Sequence, residues 1–223
     1  RVTGINTEYA LLGGVRPGAF VGKPSIGGRL KFESSDSKTT LALSHVNLFM
    51  EYDPADIETT FTENANVHFY MTIMSLKYNL LQWSFTSEYA QRSIRFDGFP
   101  SVYIPDPLRS TTGESFYFQT VYRLNYKWNL IARYDVLYSD KTDRNGESFV
   151  QSMSALGANI ENHSRYAKDM MFGIQFNISR HWESRFELHA VDGSAWIPAR
   201  DNLNEPALAR KWHMINMSIS YQF

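Results

Sequence analysis

The sequence contains no cysteine, which excludes disulfides, thiolate zinc sites and a cysteine nucleophile. It also lacks any apolar run close to the roughly 18 to 20 residues that a membrane-spanning helix requires. Its formal net charge of −1 removes the electrostatic case for a nucleic-acid partner. Helical membrane proteins, disulfide-stabilised domains and nucleic-acid-binding proteins are therefore not indicated.

Aromatic residues are abundant by contrast, because Phe, Trp and Tyr make up 15% of the 223 residues. This share is high for a soluble domain, whereas transmembrane β-barrels place aromatic rings in girdles at both membrane interfaces. Since only every second residue of a barrel strand contacts lipid, a low mean hydropathy does not exclude such a barrel.

The last ten residues show the clearest alternation in the chain. Ile215, Met217, Ile219, Tyr221 and Phe223 share one parity, and most of the residues between them are polar. In a strand, this pattern gives one apolar, aromatic-tipped face and one mostly polar face. A strand of this kind suits lipid on one side and water on the other.

Similar alternating segments recur upstream, and tight turns pair several of them into hairpins. Turns are expected at 79–80, 126–127 and 179–181, and long polar connections at 13–25, 51–66, 96–114, 139–165 and 193–211. The expected strands are 5–12, 26–34, 39–50, 67–78, 81–89, 116–124, 128–138, 172–178, 182–190 and 214–223. No helical segment of useful length is expected between them.

Tight turns at one end and long loops at the other are typical of bacterial outer-membrane barrels. The pattern predicts an all-β fold, a transmembrane antiparallel up-and-down β-barrel with about ten strands. It would form one domain over residues 1–223, either the whole barrel or the C-terminal part of a wider one. A soluble barrel or sandwich also alternates. However, Trp and Tyr near strand ends and charges on the opposite face favour the membrane.

Residues of the other parity would line the lumen of such a barrel. The charged candidates are Arg29, Lys31, Glu88, Arg92, Arg133, Asp135, Arg185, Glu187 and His189. Interleaved charges of both signs can pair into a plug or line a wet channel. Eight to ten strands leave an interior that side chains can fill, whereas about sixteen leave an aqueous channel. The number of strands in the complete barrel therefore decides between the two.

Three stretches resemble known porins. They are YRLNYKWNLIARYDVLYSD (122–140), RYAKDMMFGIQFNISRHWESRFELHAVDGSAWI (165–197) and KWHMINMSISYQF (211–223). The last resembles the terminal strand of Gram-negative outer-membrane barrels. Together they cover about the C-terminal half of this chain and resemble the end of proteobacterial porin-like proteins loosely related to the phosphate-selective porin group, whose members are longer than this chain. Phosphate specificity is not carried over, because the anion-selecting regions have no match here.

The resemblance implies a location in the Gram-negative outer membrane and passive diffusion of small polar or charged solutes. It also implies contact with outer-membrane lipid and lipopolysaccharide and allows a homotrimer, although alternation reveals no interface. The alternative is a narrow, non-conducting barrel with a structural or surface-binding role. No catalysis, cofactor, metal or nucleic acid is expected.

Two enzymatic functions are alternatives to the porin. An omptin-type protease would use Asp and His residues at the extracellular rim, where His163, His189 and Asp192 are expected, but the omptin signature is missing. Ser184 near His181 offers the nucleophile and base of an outer-membrane phospholipase without a third partner. Both enzymes are less favoured than a channel.

Two connections carry further motifs. The segment 139–148 offers oxygen donors around a glycine, but their spacing does not match an EF-hand, so a solvated turn is favoured over a calcium site. The segment 96–115 is long, contains proline and aromatic residues, and suits either an exposed loop or a constriction that folds into a lumen.

Overall fold

The computed structural model describes residues 18–54, 65–101, 104–197 and 208–222. Ten strands lie in this part of the chain. They are β1 (Gly18–Gly22), β2 (Ile26–Glu33), β3 (Thr39–Pro54), β4 (Ala65–Asn79), β5 (Trp83–Asp97), β6 (Ser110–Arg123), β7 (Trp128–Tyr138), β8 (Tyr166–Asn177), β9 (Trp182–Gly193) and β10 (Lys211–Tyr221).

These strands form one antiparallel sheet in meander order, in which each of β3 to β10 is hydrogen-bonded to its neighbour in sequence. Both β1 and β2 pair with β3, so that together they occupy the place of a single interrupted strand. The expected all-β class, antiparallel meander and number of strands are confirmed.

The tight turns lie where the sequence predicts them. β4 ends at Asn79 before β5 begins, four residues separate β6 from β7, and four separate β8 from β9. In the β6–β7 turn, the side-chain Oδ1 of Asn125 accepts hydrogen bonds from the backbone nitrogens of Lys127 and Trp128 at 2.8 and 3.0 Å. Asn side chains stabilise turns in this way because they replace a backbone acceptor.

Several expected boundaries were wrong. β1 lies inside the expected connection 13–25, and β5 begins at Trp83 because Leu81 belongs to the preceding turn. The expected strand 5–12 and the terminal Phe223 lie outside the described residues. Strands β3 and β5 extend several residues beyond their predicted ends and β8 begins several residues before its predicted start, because backbone pairing continues where the hydrophobic alternation has already faded.

The connection 139–165 contains a helix, α1 (Glu147–Ala155), which corrects the expectation of no helical segment. Asp143 Oδ1 and Oδ2 accept hydrogen bonds from the backbone nitrogens of Ser148 and Phe149 at 3.2 and 2.8 Å. These bonds satisfy donors that the first turn of a helix leaves without partners. Among the described residues, no helix has the length and apolar character to cross a membrane.

The described residues fall into two compact units. The first is drawn from Arg1–Arg29, Ser44–Thr72 and Gln91–Thr112. Its buried core consists of Phe20, Tyr52, Ala65, Val67, Phe96, Phe99 and Ile104. Phe99 and Ile104 belong to the long β5–β6 connection and are only 2% and 5% exposed, so this connection packs onto strand residues and is not an exposed loop. Its role as a constriction stays a prediction.

The second unit comprises Leu30–Leu43, Ile73–Ala90 and Gly113–Phe223. One face of its sheet carries a continuous row of large apolar side chains that remain exposed. This row, called here the apolar face, includes Phe172, Ile174, Phe186, Leu188, Ile215, Met217 and Ile219. The register brings them together, because Phe172 faces Leu188 across β8–β9 and Leu188 faces Ile215 across β9–β10.

Tryptophans mark the turn end of the apolar face, since β5, β7 and β9 each begin with one directly after a tight turn. Each indole contacts an aromatic ring on a neighbouring strand: Trp83 with Tyr122 at 4.6 Å between centroids, Trp128 with Phe176 at 4.4 Å and Trp182 with Tyr221 at 4.9 Å. Such contacts stabilise the pairing of neighbouring strands. Three consecutive hairpins thus end in an aromatic band.

Candidate functional site

A cavity of about 510 Å³ lies against the other face of the second unit's sheet. This charged cavity is bordered by seven acidic, basic or histidine side chains: Glu88, Arg133, Asp135, Asp169, Arg185, Glu187 and His189. On β7, β8 and β9 the charged residues of the cavity have odd residue numbers, whereas the residues of the apolar face on these three strands have even numbers. The alternation of a β-strand therefore separates the charged side chains from the apolar ones.

The strand register concentrates these charges. Asp135 on β7 lies directly opposite Asp169 on β8, and Met171 on β8 lies opposite His189 on β9. Cross-strand neighbours of this kind bring their Cβ atoms within about 4.5 to 5.5 Å. Two carboxylates at directly opposed positions repel each other unless positive charge or hydrogen-bond donors lie close by.

The first source of positive charge is Arg133. Its Nε and Nη2 atoms donate to Asp135 Oδ2 and Oδ1 at 2.7 and 2.6 Å, a bidentate pair formed two residues along the same strand. Its guanidinium carbon also lies 3.9 Å from the ring centroid of Tyr117. This ring and this carboxylate together hold the guanidinium in one orientation.

A second pair repeats this arrangement on β9, where Arg185 and Glu187 form an ion pair two residues apart. Glu187 is 9% exposed, and its Oε2 also accepts a hydrogen bond from Asn216 Nδ2 on β10 at 3.1 Å. Gly173 lies opposite Glu187, and a Cβ there would approach the backbone oxygen of Phe186 to 3.2 Å and the Glu187 Cγ to 3.4 Å. The two strands therefore approach closely at this glycine.

His189 connects the carboxylates of β8 and β9. Its Nδ1 lies 2.6 Å from Asp169 Oδ2, while its Nε2 lies 3.6 Å from Glu187 Oε2, which is beyond hydrogen-bond distance. Three buried polar atoms of the cavity have no hydrogen-bond partner among the described residues: Asp169 Oδ1, Arg185 Nε and His189 Nε2. Buried polar atoms are usually paired, so this cluster retains unused capacity to bind a polar group.

Six of the nine sequence-predicted lumen residues border this cavity: Glu88, Arg133, Asp135, Arg185, Glu187 and His189. Lys31 does not border it and instead pairs with Glu33 along β2 at 2.9 Å. Arg29 and Arg92 lie in the first compact unit, where both are exposed. The role of these nine residues in lining a pore stays a prediction.

Sequence reasoning missed Asp169 and Tyr117. Asp169 was placed just before an expected strand, although it shares its parity with Met171 and Gly173. Continuing the alternation three residues upstream of the expected start at 172 identifies it. Tyr117 stands between two outward-facing phenylalanines, so the strand pattern already assigned it to the charged side.

The structure does not assemble the suggested protease site. His163 is buried, and its Nδ1 lies 3.0 Å from Ser194 Oγ. Asp192 has the parity opposite to His189 on β9 and accepts hydrogen bonds from Arg210 at 2.7 and 3.1 Å. The three proposed catalytic residues thus have separate partners.

The suggested phospholipase pair is also separated. Ser184 Oγ donates to the carbonyl of Phe176 at 3.5 Å, whereas His181 Nδ1 lies 2.9 Å from the carbonyl of Gln222. Both polar groups therefore bind backbone acceptors. No hydrogen bond links the serine to the histidine in this part of the chain.

The acidic residues of 139–148 stabilise local backbone. Asp140 Oδ1 accepts hydrogen bonds from the nitrogen and hydroxyl of Thr142 at 2.8 and 2.7 Å, and Asp143 caps α1. Within 18–54, 65–101, 104–197 and 208–222, no group of three or more His, Asp or Glu side chains has the geometry to hold a metal ion. The favoured interpretation as a turn agrees with these contacts.

The architecture defines an all-β antiparallel meander with an apolar face and an oppositely placed charged cavity. Comparison with known proteins found no matching family model and no matching curated sequence. Among solved structures, the chain is similar to one described as "NanC porin structure in rhombohedral crystal form". The similarity has a TM-score of 0.45 at 10% identity and covers 92% of this chain and 97% of that one.

Proposed function

We propose that this chain forms a closed β-barrel domain of the Gram-negative outer membrane through which small polar or charged solutes diffuse. The observation that carries the proposal is the separation of the apolar face from the charged cavity on one sheet. Met217 is 76% exposed and Phe172 is 59% exposed, in a row of similar residues. Soluble monomers rarely expose such continuous apolar surface, whereas barrel strands in lipid require it.

The aromatic band supports the same proposal. Trp83, Trp128 and Trp182 stand at the turn ends of their strands, where the membrane–water interface of a barrel would lie. Outer-membrane lipid would cover the apolar face, and lipopolysaccharide would meet the loop end. We include no catalysis and no cofactor in this proposal. A homotrimer and the finer relation to the phosphate-selective porin group remain part of the hypothesis.

A second candidate function is a narrow, non-conducting barrel with a structural or surface-binding role. The specific observation in its favour is the internal pairing of Arg133 with Asp135 and of Arg185 with Glu187. Side chains that neutralise one another can fill a narrow interior. The two candidates differ in whether water and ions pass.

Planar-bilayer recording of the full-length protein tests the proposal. We expect open-channel current, and we expect the conductance to change in Arg185→Glu, because that substitution reverses one charge beside the cavity. Protection of the inserted protein from urea serves as a control for membrane insertion. An inserted protein that keeps the bilayer sealed at every voltage would favour the non-conducting barrel.

A further inference from the structure

The charged cavity carries an excess of negative charge. Four carboxylates border it, from Glu88, Asp135, Asp169 and Glu187, against two guanidinium groups. The formal sum of these six charges is two negative. A water-filled space bordered by such a set attracts cations and repels anions.

Both arginines are already engaged by carboxylates on their own strands. Arg133 is held by Asp135 through two hydrogen bonds, and Arg185 is paired with Glu187. An arginine that is paired with a carboxylate on its own strand offers little net positive charge to a passing anion. The remaining carboxylates, Glu88 and Asp169, therefore determine the sign of the field.

Among the described residues, neither remaining carboxylate forms a hydrogen bond or ion pair with an arginine or lysine. Glu88 Oε2 accepts a hydrogen bond from Ser75 Oγ at 3.0 Å, and Asp169 Oδ2 lies 2.6 Å from His189 Nδ1. Asp169 is only 3% exposed and borders the cavity, yet its Oδ1 has no hydrogen-bond partner in this part of the chain. A buried carboxylate oxygen without a donor favours the approach of a positively charged group.

We propose that the charged cavity selects small cations, inorganic or amine-bearing, and that Asp169 and Glu88 are its specificity-determining residues. The ring of Tyr117 also borders the cavity, and its centroid lies 3.9 Å from the guanidinium carbon of Arg133, so this part of the lining accommodates a cation. This inference rests on the proposed channel function and adds its charge preference.

The test is the reversal potential of the full-length protein in a planar bilayer under a potassium chloride gradient. The sign of this potential reports whether potassium or chloride passes more readily, and we expect potassium. Asp169→Asn and Glu88→Gln should each lower the potassium-to-chloride permeability ratio about twofold, the effect of removing one unit charge roughly 8 Å from an ion in water.

Asp192→Asn is the matched control, because it removes the same charge from β9 at a position that does not border the cavity. Its permeability ratio should equal that of the unmodified protein. Glu88→Gln keeps an acceptor for Ser75 and serves as the second variant if Asp169→Asn fails to fold.

The outcomes separate the two proposals. Current with a chloride preference, or a ratio unchanged in both cavity variants, overturns the cation selectivity and leaves the channel in place. The absence of any current overturns the channel and the selectivity together. A potassium preference that falls in both cavity variants and not in the control supports the inference.

Discussion

Replacing Met217 by lysine tests whether the apolar face contacts lipid. Met217 lies near the middle of the eleven-residue β10, is 76% exposed, and is flanked on its face by Ile215 and Ile219 at 66% and 69%. If this face lies in hydrocarbon, a lysine near the midplane should cost about 2 to 4 kcal/mol of folding free energy. If it faces water, the same change should remain within about 0.5 kcal/mol.

Asn216→Lys provides the matched control. Asn216 is the preceding residue of the same strand, its side chain points to the other face, and its Nδ2 atom donates to Glu187 at 3.1 Å. The ammonium group of a lysine at this position would lie near the Glu187 carboxylate and would contact water. We therefore expect little change in the free energy of unfolding for this variant.

The assay is reversible urea unfolding of each variant in phospholipid vesicles, followed by tryptophan fluorescence. We expect a large loss of the free energy of unfolding for Met217→Lys and almost none for Asn216→Lys. Equal free energies of unfolding for the two variants, or a gain in water solubility without detergent for Met217→Lys, would refute lipid contact at this face.

Three further predictions concern the connections. Glu114→Gln should weaken the attachment of the 139–165 connection by about 1 to 2 kcal/mol, because the 8%-exposed carboxylate pairs with Arg144 at 2.6 Å, and limited proteolysis should cut this connection faster. Gly193→Ala should destabilise the protein by about 2 to 4 kcal/mol in chemical denaturation, against about 1 kcal/mol for Gly157→Ala. Both glycines have positive φ, but a Cβ at Gly193 would collide with the backbone oxygen of Tyr166, whereas one at Gly157 would meet no atom within 4 Å. In the turn between β2 and β3, hydrogen bonds from the Ser34 hydroxyl and from Lys38 lower the pKa of Asp36 from 3.8 to about 2. The ionised carboxylate therefore stabilises this turn above about pH 4, and an NMR titration should show that stabilisation being lost as the pH falls through 2.

The contrast between β9 and the 139–165 connection shows how far sequence reasoning extends. Phe186 and Leu188 alternate with Arg185 and Glu187, and this period of two fixes both the strand and the face of each residue. The helix α1 depends on Asp143 meeting two backbone nitrogens after a turn. A contact of that kind has no periodic signal in the sequence.

The amino-acid order by itself determined the meander, its tight turns and the parity of charged and apolar residues, because these follow from the geometry of a single strand and its neighbour. Tertiary structure decided which charges meet. Asp169 became part of the cavity through its register with Asp135 and its contact with His189, which are set by the alignment of three strands. Register is a property of pairs of strands, so no single segment encodes it.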